Sequence, residues 1–186
     1  MYLCNVKLFK QKGLMSKFTI NDAIYKTNGK NDECYTPRYV VEALLPYIPK
    51  NKVIWCPFDT EDSYFVKVLI ENGYEVVFSH IFKGQNFFDY EPPRWDIIVS
   101  NPPFTNKKAF FERAFQLGKP FMMLMTAQWL NDSAPVQLYH KYGQDMQLIH
   151  FKKRIQFLNV NENKIPFKSL FFCCNILPKD NIIINC

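Results

Sequence analysis

Residues 95–104 of this chain read W-D-I-I-V-S-N-P-P-F. The apolar residues 97–99 predict a short buried strand. The strand has to end at Asn101, because the two prolines that follow cannot donate to a sheet and hold the residue before each of them extended. Residues 107–117 then show helical periodicity, with good N-cap residues before them and a glycine after them. A stiff polar tetrapeptide therefore follows a buried strand, at the edge where open α/β sheets bind ligands.

The tetrapeptide Asn101-Pro102-Pro103-Phe104 offers two hydrogen-bond acceptors side by side. The Asn101 amide oxygen and the Pro102 carbonyl oxygen together suit the two protons of an exocyclic NH2 group. Accepting both protons draws the nitrogen lone pair out of conjugation and directs it at an electrophile. Phe104 adds a flat apolar face on which the ring that carries the amine can stack. The alternative is a plain Pro-Pro turn in which Asn101 caps the next helix.

The stretch D-I-I-V-S-N-P-P-F resembles the catalytic motif of amino-methyltransferases that use S-adenosylmethionine, above all the N6-adenine DNA methyltransferases. The resemblance extends from about residue 32 to about residue 175 and is closest to small phage- and prophage-type enzymes. It implies an α/β fold: a Rossmann-like domain with a mostly parallel sheet, helices on both faces and an antiparallel C-terminal strand. It also implies catalytic roles for Asn101, Pro102, Pro103 and Phe104.

Length and composition predict a single globular domain. We expect a basic lead-in over residues 1–31, the α/β domain over 32–178 and a tail over 179–186. No apolar run is as long as a membrane span, and the six cysteines lack the spacing of a zinc site or a disulfide framework, so we expect a cytoplasmic protein without a metal. The net charge of +6 is concentrated at the two ends, which suits either a polyanionic partner or a solvated surface.

Residues 52–56, 63–72 and 75–78 predict a strand, a helix and a second strand, which form a βαβ unit with parallel strands. The other predicted elements are a strand over 121–125, a helix over 134–142, and two antiparallel strands over 147–151 and 169–176.

A Y-T-P segment precedes the first of these strands. Thr36 is a good N-cap, and Pro37 suits the first position of a helix. In the resembled family such a segment packs against the methionine part of the cofactor, which implies that role for Tyr35, Thr36 and Pro37. An ordinary capped helix explains the same residues.

The loop after the first strand departs from the resembled family. The family has an acidic residue at the strand end and glycines after it, whereas this chain has Cys56, then Pro57, Phe58 and Asp59, and no glycine. Glycine permits positive φ and a close approach of the backbone to a ligand, so its absence predicts weaker cofactor binding. Pro57 and Phe58 still match, and Asp59 is one of three loop carboxylates that could bond a ribose, an ammonium group or the helix N-terminus.

Two more cofactor contacts follow from the resemblance. His80 stands where the family has an acid for the ribose hydroxyls, and a neutral imidazole accepts one such proton rather than two. Asn86 and Phe87 match residues that contact the adenine of the cofactor, although a turn followed by core phenylalanines explains them as well.

Nucleic acid is the expected partner. Most of the candidate basic residues lie between positions 152 and 168, where basic and polar residues alternate with aromatic ones. The candidates are Lys107, Lys152, Lys153, Arg154, Lys164 and Lys168.

Together these patterns favour methyl transfer from S-adenosylmethionine to the N6 amine of an adenine that is flipped out of DNA. An RNA adenine or a protein glutamine presents a similar amine. The other hypothesis is a degenerate methyltransferase-fold protein that binds nucleic acid or another partner without catalysis.

Overall fold

The computed structural model describes residues 26–27, 30–31, 34–158 and 167–185. The chain divides into two compact units, residues 1–33 and 34–186, and each is described by itself. In the first unit, β1 (Lys26–Thr27) pairs antiparallel with β2 (Lys30–Asn31). The rest of the predicted lead-in lies outside the described residues.

Within the described residues, the second unit contains a seven-stranded mixed sheet. Its strands are β3 (Val53–Cys56), β4 (Glu75–Phe78), β5 (Ile97–Ser100), β6 (Phe121–Thr126), β7 (Gln147–Phe151), β8 (Ser169–Cys174) and β9 (Asn181–Ile184). They lie in the order β4-β3-β5-β6-β8-β7-β9. The first four are parallel, and β8 runs antiparallel to β6 and β7. The predicted α/β, Rossmann-like architecture with an antiparallel strand near the C-terminus is confirmed.

Four α-helices accompany the sheet in the described part of the chain. They are α1 (Arg38–Glu42), α2 (Tyr64–Glu71), α3 (Lys107–Gln116) and α4 (Ala134–Lys141). Short 3-10 turns cover Leu45–Tyr47, Ile81–Lys83 and Ala127–Asn131. Helix α1 packs against α2, and α3 packs against α4. No helix in the described ranges combines the length and the apolar character that crossing a membrane requires.

Strand β5 is buried on both faces, as its continuous apolar sequence predicted. Val99 belongs to the core cluster that contains Phe65 of α2. Ile98 pairs in register with Phe121, and the Phe121 ring lies 5.9 Å from the Phe111 ring of α3. Because neighbouring residues of a strand point to opposite faces, α2 covers one face of β5 and α3 covers the other.

Two predicted boundaries are wrong. Pro37 is the N-cap residue of α1 rather than its first residue, because its ψ of 154° is extended, and no side chain caps the helix. The tail over 179–186 is not separate from the domain, because β9 pairs parallel with β7. Ile182 is buried while Ile183 is 67% exposed, which is the alternation expected of a strand with one face on the core.

Candidate active site

Several polar side chains meet at the carboxyl edge of the parallel strands. Strands β3, β5, β6 and β7 end at this edge, and the antiparallel β8 begins there. Asp59 follows β3, Asn101 follows β5, and Lys152 follows β7. Lys168 precedes β8, and its carbonyl oxygen accepts a hydrogen bond of 2.7 Å from the Ala127 N–H just after β6. The sheet thus brings residues that are distant in sequence to one edge.

The side chain of Asn101 is held by the backbone of Cys34. Its Nδ2 donates a hydrogen bond of 2.8 Å to the Cys34 carbonyl oxygen. A carbonyl oxygen can only accept, so this contact assigns the two ends of the amide. The Oδ1 atom is buried and has no hydrogen-bond partner, a state that costs roughly 1–3 kcal/mol unless a ligand donor fills it. Asn101 does not cap the next helix: α3 begins after Asn106, and no side chain caps it.

The other residues of the tetrapeptide lie against aromatic rings. Pro102 and Pro103 are buried, and Phe104 is half-buried. The Phe104 ring makes edge-on contacts with two others, at centroid distances of 6.4 Å to Phe157 and 5.8 Å to Phe167. Phe104 thus forms an aromatic cluster with Phe157 and Phe167.

Asp59 is a buried carboxylate at the end of β3. The hydroxyl groups of Ser63, at the start of α2, and of Ser100, at the end of β5, both donate to it. Burial raises the pKa of Asp59 to about 6, although both hydroxyl groups favour the charged form. In the described part of the chain, no basic side chain forms an ion pair with Asp59. A cationic group on a ligand would stabilise its charged form.

The carboxylates of Glu61 and Asp62 in this loop face solvent, and the loop needs no glycine. Glu61 pairs with Lys83 at 3.0 Å, and Asp62 pairs with Lys67 at 2.9 Å. None of residues 57–62 has a positive φ. Since positive φ is the conformation that glycine adopts most readily, the absence of glycine does not strain this loop.

Several predicted cofactor residues have partners within the chain. Nδ1 of His80 and Oδ1 of Asn86 each accept a hydrogen bond from the backbone N–H two residues further on, at 3.2 and 3.1 Å. Phe87 is 2% exposed, and its ring lies 4.9 Å from the ring of Phe58. These contacts stabilise turns and the core, so a ligand would meet these groups at their remaining surface.

The Y-T-P segment is divided between surface and core. Tyr35 is 57% exposed, whereas Pro37 is buried. Thr36 is 7% exposed, and its hydroxyl group has no hydrogen-bond partner. Pro57 is buried at the end of β3, and burial raises the pKa of the neighbouring Cys56 thiol well above its usual value. A neutral thiol therefore stands where the resembled family has an acid.

The predicted basic residues fall into two groups. Lys107 is paired with Asp132 at 3.6 Å, which neutralises part of its charge. The exposed ones are Lys152, Lys153, Arg154 and Lys168, and Lys168 Nζ donates to the Lys152 carbonyl oxygen at 3.2 Å. Lys164 lies outside the described residues.

Sequence reasoning missed Cys34, Ser63 and Ser100. Cys34 acts through its backbone carbonyl, which has no sequence pattern. Ser63 stands at the expected start of a helix, and Ser100 adjoins the tetrapeptide on the opposite face of the strand from Asn101. Both serines were identifiable as polar residues at the carboxyl edge, but their common partner was not.

A cavity of about 380 Å³ lies at the other edge of the sheet, lined in part by Lys52, Asp96 and Lys119. Lys119 donates to the Trp95 carbonyl oxygen at 2.7 Å and lies over the Trp95 ring. This cavity is remote from Asn101 and Asp59. No group of His, Cys, Asp and Glu side chains in the described residues is arranged to hold a metal ion.

No protein-family model and no curated protein matches this chain. Among solved structures, it is similar to a protein from Vibrio vulnificus YJ016 described as the modification subunit of a type I restriction enzyme, with 12% identity, a TM-score of 0.46, and coverage of 96% of this chain and 50% of that one. It is also similar to a protein from Pyrococcus horikoshii described as an RNA methyltransferase, with 13% identity, a TM-score of 0.48, and coverage of 91% and 99%. The chain spans about half the length of the first protein. At these TM-scores the likeness does not identify a function.

We predict that Asp59 makes stability fall as the pH rises through about 6. Its folded pKa of about 6 lies above the usual 3.8, so its contribution is complete below pH 4 and is lost as the buried group ionises. Asp59→Asn cannot ionise. The free energy of unfolding of the variant minus that of the wild type should therefore increase by roughly 2 kcal/mol between pH 4 and pH 7.5. Urea unfolding across this range measures the difference.

Asp62→Asn is the matched control, because the Asp62 side chain is 86% exposed. The free energy of unfolding of Asp62→Asn should change with pH in nearly the same way as that of the wild type. If the difference in unfolding free energy between Asp59→Asn and the wild type does not change with pH, the raised pKa of Asp59 is contradicted.

Proposed function

We propose that this chain transfers a methyl group from S-adenosylmethionine to the exocyclic N6 amine of an adenine in nucleic acid, with DNA as the first substrate to test. The observation that supports this most is the Asn101 amide. The Cys34 carbonyl orients it through Nδ2, so that its Oδ1 is buried and unpartnered at the end of a central strand. An NH2 group is the ligand chemistry that such an acceptor, next to a proline carbonyl, suits best.

The chain acts on the base by position rather than by proton transfer. Asn101 Oδ1 and the Pro102 carbonyl accept the two amine protons, and the nitrogen lone pair then points out of the plane of the base. Phe104 stacks on the base once it has been flipped out of the helix. Holding the amine in this orientation is an entropic contribution to the rate. The amine nitrogen would displace the sulfonium sulfur from the methyl carbon, and its surplus proton would pass to water, so no general base is required.

The residues at the end of β3 fit a cationic cofactor. Bound S-adenosylmethionine supplies a methyl group activated by a sulfonium. The buried Asp59 carboxylate, without a basic partner in the described ranges, would balance a positively charged group of that cofactor. Thr36 Oγ1 is a buried polar atom without a partner, and it would hydrogen-bond the methionine part. Tyr35, Pro37, Pro57, Phe58, His80, Asn86 and Phe87 would complete the cofactor site through their remaining surface.

The exposed basic residues suit a phosphate backbone beside the site. Lys152 and Lys153 follow β7 at the same edge as Asn101, and Arg154 and Lys168 are exposed next to them. Lys107 would add to this surface, and Lys164, which lies outside the described residues, stays a candidate from the sequence. Contacts of this kind are insensitive to base sequence.

A non-catalytic nucleic-acid-binding module is the second candidate. The hydrogen bonds that His80 and Asn86 make within the chain favour it, as does the thiol of Cys56 in place of an acid. These features would weaken cofactor recognition and leave Asn101 and Phe104 unchanged.

Asn101→Ala should reduce methyl transfer by at least two orders of magnitude, comparable to the loss of one preorganised polar group at a reacting centre. The assay uses purified protein, labelled S-adenosylmethionine and unmodified DNA or RNA. Asn51→Ala, at an exposed position before β3, is the matched control and should keep full activity. Undiminished transfer by Asn101→Ala, with an unchanged circular dichroism spectrum, refutes the role of Asn101.

Calorimetry with S-adenosylmethionine separates the two candidates. The enzyme should bind the cofactor with micromolar affinity, whereas the module should show no heat at millimolar cofactor. Asp59→Asn should weaken the binding, because it removes the carboxylate that balances the charge of the ligand. Binding by the wild type that Asp59→Asn leaves unchanged would contradict the assigned site.

The double variant Lys152→Ala/Lys153→Ala should weaken nucleic-acid binding and make it less sensitive to salt. Each lost phosphate contact lowers the slope of log K against log salt by about 0.9 on duplex DNA. Fluorescence anisotropy between 50 and 200 mM salt (roughly the range over which such contacts are lost) measures the slope. Lys179→Ala is the control, since this exposed residue lies in the turn between β8 and β9 at the opposite edge. Equal slopes for both variants would contradict this surface.

A further inference from the structure

Three buried polar atoms without a hydrogen-bond partner lie at the carboxyl edge of the sheet: Thr36 Oγ1, Asn101 Oδ1 and Ser169 Oγ. The first two have roles in the proposed function, whereas Ser169 has none so far. Ser169 is 4% exposed. A buried hydroxyl that makes no hydrogen bond destabilises the fold. Alanine would therefore be the more stable residue at this position unless the hydroxyl group binds something.

The strand register places Ser169 on the same face of the sheet as Asn101. Val99 pairs with Met122, which in turn pairs with Cys173. All three belong to one core cluster. Residues two apart on a strand share a face. Asn101 comes two residues after Val99, and Ser169 comes four residues before Cys173. Both side chains therefore point to this face.

The separation of these two residues matches the width of a base that is hydrogen-bonded at both ends. Only β6 separates β5 from β8, so two strand spacings of about 4.8 Å place Asn101 and Ser169 roughly 10 Å apart across the sheet. The register puts Ser169 two residues nearer the edge, so the two Cα atoms are on the order of 12 Å apart. Two hydrogen bonds of about 2.9 Å each and a purine ring between them bridge such a distance.

Aromatic residues close in sequence to these two side chains contact each other. Phe104 lies three residues after Asn101, Phe167 lies two residues before Ser169, and their ring centroids are 5.8 Å apart. A base that stacks on Phe104 would therefore lie beside the Phe167 ring.

We propose that the Ser169 hydroxyl group binds the side of the base opposite the amine, by donating a hydrogen bond to a ring nitrogen. This inference rests on the proposed function and adds the residue that selects the base. In adenine the ring atom opposite the amine is N3, which is an acceptor. In cytosine the ring atom opposite the amine is the N1 that carries the sugar, and it accepts nothing. Binding of cytosine would leave the buried Ser169 hydroxyl group unpaired, so the site would discriminate against that base.

Replacing N3 of the target adenine by carbon tests this directly. The wild type and Ser169→Ala are assayed with oligonucleotides that carry either adenine or 3-deazaadenine, with labelled S-adenosylmethionine. The wild type should lose about tenfold or more in kcat/KM on 3-deazaadenine. Ser169→Ala should lose a similar factor on adenine and show no further loss on 3-deazaadenine, as expected when both changes remove the same contact.

The urea midpoint provides a second readout, because loss of a hydroxyl group with a structural role would lower it. The urea midpoint of Ser169→Ala should equal or exceed that of the wild type, because the variant removes an unpartnered hydroxyl. Ser79→Ala is the contrast: its buried hydroxyl accepts a hydrogen bond of 2.9 Å from Trp55 Nε1, so its midpoint should fall.

The outcomes separate the inference from the proposed function. Full activity of Ser169→Ala on adenine, continued discrimination against 3-deazaadenine by that variant, or a lowered urea midpoint would each overturn the role of Ser169 alone. If the wild type transfers no methyl group to any adenine substrate, the proposed function fails and this inference fails with it.

Discussion

The hydrogen bond from the Asn101 side chain to the Cys34 carbonyl fixes the orientation of the amide at the carboxyl edge of the sheet. Without it the amide could rotate and satisfy its own oxygen within the protein. With it, Oδ1 is left as a fixed acceptor. The preceding residue, Ser100, points to the other face of the sheet and donates to Asp59. Two consecutive residues at the end of β5 thus organise both sides of the edge, because a strand alternates its side chains.

Unpaired polar groups at this edge carry a stability cost that a bound ligand would offset. Thr36, Asn101 and Ser169 each bury a polar atom without a partner, at roughly 1–3 kcal/mol for each group. A domain of this size is stable by only about 5–15 kcal/mol in total. Arg113 Nε, on α3, is the one other such atom found in the described ranges. Local rules of folding are broken most often where a protein functions, and here three violations share one edge.

The sequence predicted the strands better than the site. The bounds of β4 and β7 are those predicted, because turn residues limit each apolar run. By contrast, 67 residues separate Cys34 from Asn101, and a contact made by a backbone carbonyl leaves no mark in the pattern of side chains. β9 was not predicted, because four residues give too little alternation of buried and exposed side chains to identify a strand at the end of the sequence. The burial of Asp59 depends on two serines that only the packed sheet brings to it.

The loop over residues 57–62 follows β3 without any glycine. Its backbone has no positive φ, and side chains hold it in place. Asp59 accepts from Ser63 and Ser100, and the Phe58 ring contacts those of Phe87 and Phe110 at 4.9 and 5.2 Å. Under the proposed function, Asp59 would supply charge that is already in place, although burial disfavours its ionised form. A cationic ligand beside it would lower its pKa, so ligand binding and ionisation of Asp59 would reinforce each other as the pH rises through about 6.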